Sequence, residues 1–149
     1  MDSTFTARFT GIPWIASHPY AYPALEVVHI VGVALLLGNL LALELRIWGV
    51  AAELPLQALA RLSLSLSVAG FGLLALSGLL MFAAAPADLL ANRSFLWKMG
   101  LLQVAGLNAA WFHARGGLAR IDRMARTQTA LSLGLWLSII IMGRWIAYT

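Results

Sequence analysis

Two ionisable residues, Glu26 and His29, stand three positions apart near the start of a long apolar stretch, residues 23–48. In a helix, side chains with this spacing share one face. Helix bundles bind metals through the same Glu-x-x-His spacing, although those sites add further carboxylates and a second histidine. Because ionisable groups are costly in hydrocarbon, they usually mark a partner, a pathway or a site. The pair therefore indicates either ligand or proton chemistry or a hydrogen-bonded structural pair, in which Glu26 bridges to Lys98.

The composition is typical of a membrane protein. Of the 149 residues, 61% are hydrophobic and 11% are charged, whereas soluble domains average about 25% charged residues. Ten Lys and Arg residues against six acids give a net charge of +4. The basic residues lie between apolar runs, so we expect them to set membrane topology rather than to bind nucleic acid. The chain has no cysteine, which excludes disulfides, thiolate metal sites and c-type haem attachment.

The apolar runs predict an all-α fold, an integral membrane four-helix bundle that forms a single domain over residues 1–149. The predicted spans cover residues 23–48, 62–84, 95–113 and 129–148. Residues 1–22 mix aromatic residues with threonines and are expected to form an interfacial segment at one membrane face. The stretch LSLSLSV at the start of the second span alternates like a strand. A strand in lipid leaves backbone groups unpaired, so we predict a helix there as well.

Basic residues predict the orientation in the membrane. The connections after the first and third spans hold six arginines: Arg46, Arg61, Arg115, Arg120, Arg123 and Arg126. The other side holds four basic residues: Arg8, Arg93, Lys98 and Arg144. Basic connections tend to stay in the cytoplasm, so both termini are expected on the periplasmic side of a bacterial inner membrane. The first and third spans then enter from the outer side, which places Glu26, His29 and Lys98 at one depth.

Small and polar residues inside the spans predict how the helices pack. A stripe of small residues recurs every four positions and lets another helix approach closely: Ala34, Gly38 and Ala42. Ser63 and Ser67 lie about one turn apart and are expected to face a neighbouring helix. Three amides are expected to form hydrogen bonds between helices: Asn39, Gln103 and Asn108. Either Asn92 or Ser94 is expected to cap the start of the third span.

Three stretches carry a resemblance to known families: YPALEVVHIVGVALLLGNLLALELRIWG, SGLLMF and NRSFLWKMGLLQVAGLN. Over most of residues 22–112 the chain resembles a family of small bacterial four-helix integral membrane proteins, from which no function carries over. An early histidine in the first span and an early lysine in the third are also similar, more distantly, to HemJ-type protoporphyrinogen oxidases and CopD-type copper-resistance membrane domains. The HemJ likeness implies His29 and Lys98 as a functional pair with b-type haem as cofactor. The CopD likeness implies copper handling.

The function that we favour from the sequence is a small inner-membrane redox protein that holds haem b or a quinone near the outer leaflet. His29 would be the haem ligand, or the proton partner of a quinone. Glu26 would orient the imidazole or relay protons, as carboxylates behind a ligand do. Lys98 would pair with a haem propionate or a substrate anion. If the protein is an enzyme, a haem-dependent oxidoreductase for example, Glu26 and Lys98 are its expected catalytic groups.

A haem would need an axial ligand set, and four-helix di-haem cytochromes generally use two histidines per haem. This chain has three histidines, and His113 lies at the far end of the third span, about 20 Å deeper than Lys98. Within one protomer, His18 would have to join His29 from the N-terminal loop. Otherwise the iron is five-coordinate, takes Lys98 as a ligand, or is shared across a dimer. Gly32, almost one turn beyond His29, is expected to leave room for the ring.

Two other functions stay open on the sequence. One is a permease or sensor for copper or another metal, with Glu26 and His29 as metal ligands. Copper(I) prefers sulfur ligands, and three thioethers lie toward the outer side: Met81, Met99 and Met142. The other is a non-catalytic subunit of a larger membrane complex, in which the polar layer locks the helices and no cofactor is bound. The expected partners are the lipid bilayer and either a second copy of the chain or a larger complex.

Overall fold

The regular elements of the computed structural model, which describes residues 12–149, are all helical. The short helix α1, Pro13–Ser17, precedes two long helices, α2, Ala21–Trp48, and α3, Leu56–Ala84. A second short helix, α4, Pro86–Ala91, leads into α5, Arg93–Ala114, and α6, Arg123–Trp145, which continues into a 3₁₀ turn, Ile146–Tyr148. The all-α prediction is confirmed, including the helix at residues 62–68. The first part of the predicted interfacial segment, residues 1–11, lies outside the described residues.

Three of the helical segments are long and apolar enough to cross a membrane: Ala21–Trp48, Leu56–Ala84 and Arg123–Tyr148. A helix rises 1.5 Å per residue, so the 28 residues of α2 extend for about 42 Å. In the most apolar stretches of the three segments, only 11%, 17% and 11% of the residues are buried. Such bare apolar surfaces are consistent with contact with lipid, and the three segments indicate a membrane protein.

The fourth long helix, α5, has 22 residues but is not among the segments that are apolar enough to cross a membrane. A polar or charged residue recurs at every fifth position along its 22 residues: Arg93, Lys98, Gln103, Asn108 and His113. Five residues turn a helix by about 140° beyond a full turn, so these side chains spiral around α5 rather than share a face. Asn108 is the one of the five that is buried. This pattern lowers the hydropathy of α5 although its length matches the predicted third span.

The four long helices form two antiparallel hairpins. α2 packs mainly on α3, α5 packs mainly on α6, and contacts between α2 and α6 join the hairpins. We call the end with Ile12, the α3–α4 junction and Thr149 the terminal end, and the end with the connections 49–55 and 115–122 the loop end. At the terminal end, the backbone N–H of Ile12 donates to the carbonyl of Ala83 at 2.7 Å.

α2 and α3 cross closely at Gly32 and Gly70. A Cβ on Gly70 would lie 2.7 Å from the backbone nitrogen of Leu36 and 2.8 Å from the carbonyl oxygen of Gly32, so no side chain fits between the two backbones. The predicted contact stripe is wrong, because all three of its residues are exposed: Ala34, Gly38 and Ala42. The stripe is offset by two residues from Gly32 and Leu36, which places it about 200° around α2 from the face that α3 covers.

All four long helices contribute to an apolar core at the loop end. Its buried residues are Leu43, Ile47, Ala60, Phe112 and Ala125, with Trp48, Leu56, Leu64 and Leu118 packed against them. The indole Nε1–H of Trp48 donates to Thr129 Oγ1 at 2.8 Å, which ties α2 to α6 beside this core. The two hairpins are therefore held together at the loop end by both apolar packing and a hydrogen bond.

Ser67 faces a neighbouring helix, as predicted, and the predicted hydrogen bond of Asn108 to another helix is confirmed. Ser67 Oγ donates to the Leu36 carbonyl at 3.4 Å, and Asn108 Nδ2 donates to the Gln128 carbonyl at 3.0 Å. Ser63 is buried as expected. The prediction for Asn39 is wrong, because its Nδ2 donates to Leu35 in its own helix at 2.7 Å. A short amide side chain readily bonds the carbonyl one turn back. Gln103, the remaining amide, is exposed.

The start of α5 also holds the C-terminal turn. Asn92 is the cap of α5, as predicted, because its Oδ1 accepts from the N–H of Phe95 at 3.1 Å. The Nδ2 of the same side chain donates to the carbonyls of Ile146 at 3.1 Å and Thr149 at 2.8 Å. The Ser94 and Thr149 hydroxyls lie 3.1 Å apart. One amide thus fixes the start of α5 against the end of α6.

Candidate functional site

His29 lies half-buried on α2 near the terminal end, and α3 orients its ring. The Ser77 hydroxyl oxygen is 2.9 Å from His29 Nδ1. The Ser77 hydroxyl also lies 2.6 Å from the Leu73 carbonyl, and when it donates there its oxygen accepts from Nδ1–H. A neutral imidazole carries one N–H and one lone pair. In this tautomer the lone pair is on Nε2, where it can accept a proton or a hydrogen bond or bind a ligand.

Gly78 on α3 makes space for this imidazole. A Cβ on Gly78 would lie 3.4 Å from His29 Cε1 and 3.8 Å from Nδ1, so the ring packs directly against the helix at this point. The adjacent pair Ser77-Gly78 supplies both the hydrogen bond and the flat surface. Counting residues along the second span places Ser77 in the same outer layer as His29, whereas this count does not single out Gly78. A serine followed by glycine in an apolar helix, at the depth of a histidine on the preceding helix, was the available signal.

Lys98 comes from the other hairpin. It is half-buried on α5, and its chain lies across Gly143 on α6, where a Cβ would be 3.5 Å from Nζ. Lys98 is in the second turn of α5, which starts at the terminal end, the same end at which α2 starts. The structure therefore brings the two predicted residues toward the same end of the molecule, each seated against a glycine of the neighbouring helix.

Glu26 does not face the interior of the bundle. It is exposed, and the ion pair within residues 12–149 is that of Arg115 with Asp122, at 2.7 Å. Ionisable groups inside a span are expected to face other helices rather than lipid, and both this expectation for Glu26 and its bridge to Lys98 are wrong. The physical reason is rotation, since Glu26 lies about 120° around α2 from Gly32, the residue through which α2 packs on α3.

Two residues expected to contribute to a haem site, Gly32 and His18, do not take the predicted positions. Gly32 is covered by α3, since a Cβ there would lie 2.9 Å from the Gly70 carbonyl oxygen and 3.0 Å from Leu74. His18 is exposed; its Nδ1 accepts from the N–H of Tyr20 at 3.3 Å, and its ring lies 5.6 Å from that of Trp14. The expected room for a porphyrin beside Gly32 is thus filled, and His18 contacts Trp14 and Tyr20 instead of His29.

A metal site at Glu26 and His29 would draw on two ligands. Within the described residues, no three His, Asp or Glu side chains lie close enough to share a metal ion. The predicted thioether ligands differ in exposure, because Met99 is exposed whereas Met81 and Met142 are half-buried.

An apolar groove of about 300 Å³ lies near the terminal end, between α1, α2 and α3. Trp14, Leu25, Val28 and Leu80 are among the residues that line it. Val28 precedes His29 in the chain, and Leu80 is on the same helix as Ser77. The groove is open on one side, so it can take an apolar chain from the surrounding lipid.

A second polar cluster, which sequence reasoning did not single out, lies at the loop end. Glu44 on α2 is 3% exposed and Gln128 on α6 is 6% exposed. The Glu44 Oε2 atom and both terminal amide atoms of Gln128 are buried without a hydrogen-bond partner. The available signal was a second acid inside the first apolar span, Glu44, which lies two residues before Arg46.

The terminal end therefore combines an acceptor, Nε2 of His29, with a cationic donor, Nζ of Lys98, next to an apolar groove. These groups can hold a small ligand that has polar atoms at its head and an apolar tail. Comparison of the chain with protein-family models, curated proteins and solved structures found no match.

Proposed function

We propose that the protein is a small redox protein of the bacterial inner membrane that binds a quinone or quinol at the terminal end, between His29 and Lys98. The observation that supports this most is the Ser77 bond to His29 Nδ1, because it leaves Nε2 to accept a hydrogen bond from a quinol hydroxyl. A Lys98 ammonium can donate to the second oxygen of the ring. The space beside Gly32 is closed by α3, which favours a quinone over haem b as the ligand.

The apolar groove near the terminal end supports the same ligand. Ligand sites of drug size are typically clefts of about 300–1,000 Å³ lined mainly by apolar side chains, and this groove has about 300 Å³. We assign it to the first isoprenoid units of a quinone tail, with the remaining tail in the bilayer.

The membrane arrangement in this proposal has four spans, with α5 crossing beside α6. The terminal end lies at the outer leaflet, both termini are periplasmic, and the arginines of the loop end stay inside. Trp14 and Tyr20, which are 66% and 77% exposed, then anchor α1 at the headgroup level. In this arrangement, the polar residues that recur at every fifth position of α5 either contact α6 or lie at the two ends of α5, in the membrane interface.

The test is binding of a short-tail ubiquinone analogue to purified protein in lipid nanodiscs, followed by quenching of tryptophan fluorescence. We expect His29→Ala and Lys98→Gln each to raise the Kd by about tenfold, the cost of losing one hydrogen bond to a charged or oriented group. His18→Ala and Gln103→Ala are the matched controls and should bind like the wild type. Wild-type affinity in His29→Ala would overturn the proposal.

The same preparations test haem directly. If wild-type protein expressed with ample haem shows a Soret band that His29→Ala lacks, the ligand at His29 is haem b and the quinone assignment fails. We expect no difference in the Soret region between the two.

A further inference from the structure

We infer that Glu44 is a buried proton-binding site at the loop end, with its carboxyl held as the neutral acid. Glu44 lies 15 residues beyond His29 on the same helix, about 22 Å along its axis. The inference depends on the surroundings of Glu44 alone and is independent of the quinone proposal.

Burial is the first observation. Glu44 is 3% exposed, and its Oε2 atom has no hydrogen-bond partner. An ionised carboxylate buried without a compensating charge is so costly that such a group usually takes up a proton instead. In the part of the chain that the structure describes, the acid that forms an ion pair is Asp122, with Arg115.

The charged groups near the loop end do not provide a counter-charge. On α2 itself, Arg46 Nε donates to the Leu54 carbonyl at 2.8 Å, which directs it to the connection 49–55. On the other helices of the bundle, the charged and titratable groups at this end are exposed: Arg61 of α3, His113 of α5, and Arg123 and Arg126 of α6. Arg115, which is half-buried just after α5, is paired with Asp122, so within the described residues none of these cations forms an ion pair with Glu44.

Ser132 of α6 lies beside the Glu44 carboxyl, and its hydroxyl can donate to a carboxylate or accept from a protonated acid. The bond from Trp48, one turn after Glu44, to Thr129 holds this face of α2 against the face of α6 that carries Ser132 and Gln128. A protonated carboxyl can both donate and accept, whereas a carboxylate only accepts. The unpartnered amide of Gln128 likewise offers both a donor and an acceptor.

The first experiment is infrared spectroscopy of the purified full chain at mildly acidic pH, above the ordinary pKa of a glutamic acid, about 4.3. We expect the carbonyl stretching band of a protonated carboxylic acid, shifted by exchange into D₂O. The band should be lost in Glu44→Gln and kept in Glu26→Gln, a matched control because Glu26 is an exposed acid on the same helix. A wild-type protein without the band, or a band that survives in Glu44→Gln, would overturn the inference.

The second experiment is thermal unfolding in detergent as a function of pH. At neutral pH Glu44 is ionised in the unfolded chain, whereas in the folded chain it keeps its proton. The folded state therefore binds more protons, and its stability decreases as pH rises. The wild-type Tm should fall between mildly acidic and neutral pH, and the Tm of Glu44→Gln should lack this decrease. If the variant does not fold, the loss of the wild-type infrared band on raising the pH decides the question.

A third experiment distinguishes a proton bound at Glu44 from a sodium ion bound there. The infrared measurement is repeated with Na⁺ replaced by choline. We expect the same band in both salts, since the proton occupies the site. A band that appears only without Na⁺ would show that the carboxylate binds a sodium ion, and the inference would fail.

Discussion

Asp122 shows how one side chain at the loop end fixes a helix and a connection together. Its Oδ1 accepts from the N–H of Ala125 at 2.7 Å, which caps the start of α6. The same carboxylate accepts two hydrogen bonds from Arg115, at 2.7 and 2.9 Å. The Ala125 N–H is the largest cause that lowers the pKa of Asp122 below its ordinary value, and the Arg115 charge adds to it.

This lowered pKa predicts a pH dependence. Because the folded pKa is below the unfolded one, the stabilisation is complete at neutral pH and is lost as pH falls through the folded pKa. Asp122→Asn keeps a capping oxygen but loses the charge. We expect its Tm in detergent to lie below the wild-type value at neutral pH and to converge with it in acid.

Asp88→Asn is the control, since Asp88 is an exposed acid in the first turn of another helix, α4. It should change the Tm little at neutral pH. A gap between wild type and Asp122→Asn that stays constant from neutral to acid pH would contradict the assignment.

At the scale of elements, the crossing of α2 and α3 at Gly32 and Gly70 positions His29 against Ser77. The pair Gly32 and Gly70 and the pair His29 and Ser77 lie on the same interface between α2 and α3. The close contact of the glycines sets the register of the two helices and so places Ser77 opposite His29. Small residues at such crossings let membrane helices approach closely, so that van der Waals contacts replace the hydrophobic driving force that lipid does not supply.

Gly70→Ala tests this crossing. The added methyl would meet backbone atoms at 2.7 and 2.8 Å, and overpacking of this kind costs about 1–3 kcal/mol. We expect a lower Tm in detergent and weaker binding of the quinone analogue, because the ring of His29 shifts relative to Ser77.

Gly72→Ala is the matched variant, two residues along the same helix, where a Cβ meets nothing within 4 Å. It should leave the Tm unchanged or raise it, since alanine favours a helix more than glycine does. Equal loss of stability in both variants would contradict the close crossing at Gly70.

At the scale of the whole molecule, the membrane arrangement depends on α5. If α5 crosses the membrane, the terminal end and the loop end lie on opposite sides of the bilayer. The absence of cysteine from the sequence allows single cysteines to report on this. Ala87 of α4 and Ala119 of the connection 115–122 are exposed and lie on either side of α5.

We expect Ala87→Cys to react with a membrane-impermeant maleimide in intact spheroplasts and Ala119→Cys to react only after the membrane is opened. The reverse pattern would invert the orientation and leave the four spans in place. Labelling of both positions from one side would show that α5 does not cross.

The sequence by itself determined that the chain is helical and apolar, with His29 and Lys98 at one end. These properties are local: a backbone in lipid must bond within its own helix, and depth follows from counting residues along the axis. The Asn92 cap was predictable for the same reason, because its hydrogen bond reaches only three residues along the chain.

Only the tertiary structure decided which face of each helix meets which neighbour. Glu26 and Glu44 are both acids in α2, yet the first is exposed and the second is buried. Ala34 belongs to a repeated stripe of small residues and Gly32 is a single glycine without such a repeat, yet it is Gly32 that meets α3. The rotation of a helix about its axis is set by the surfaces of α3 and α6, which come from distant parts of the chain, and an apolar helix with little amphipathic pattern does not encode it locally.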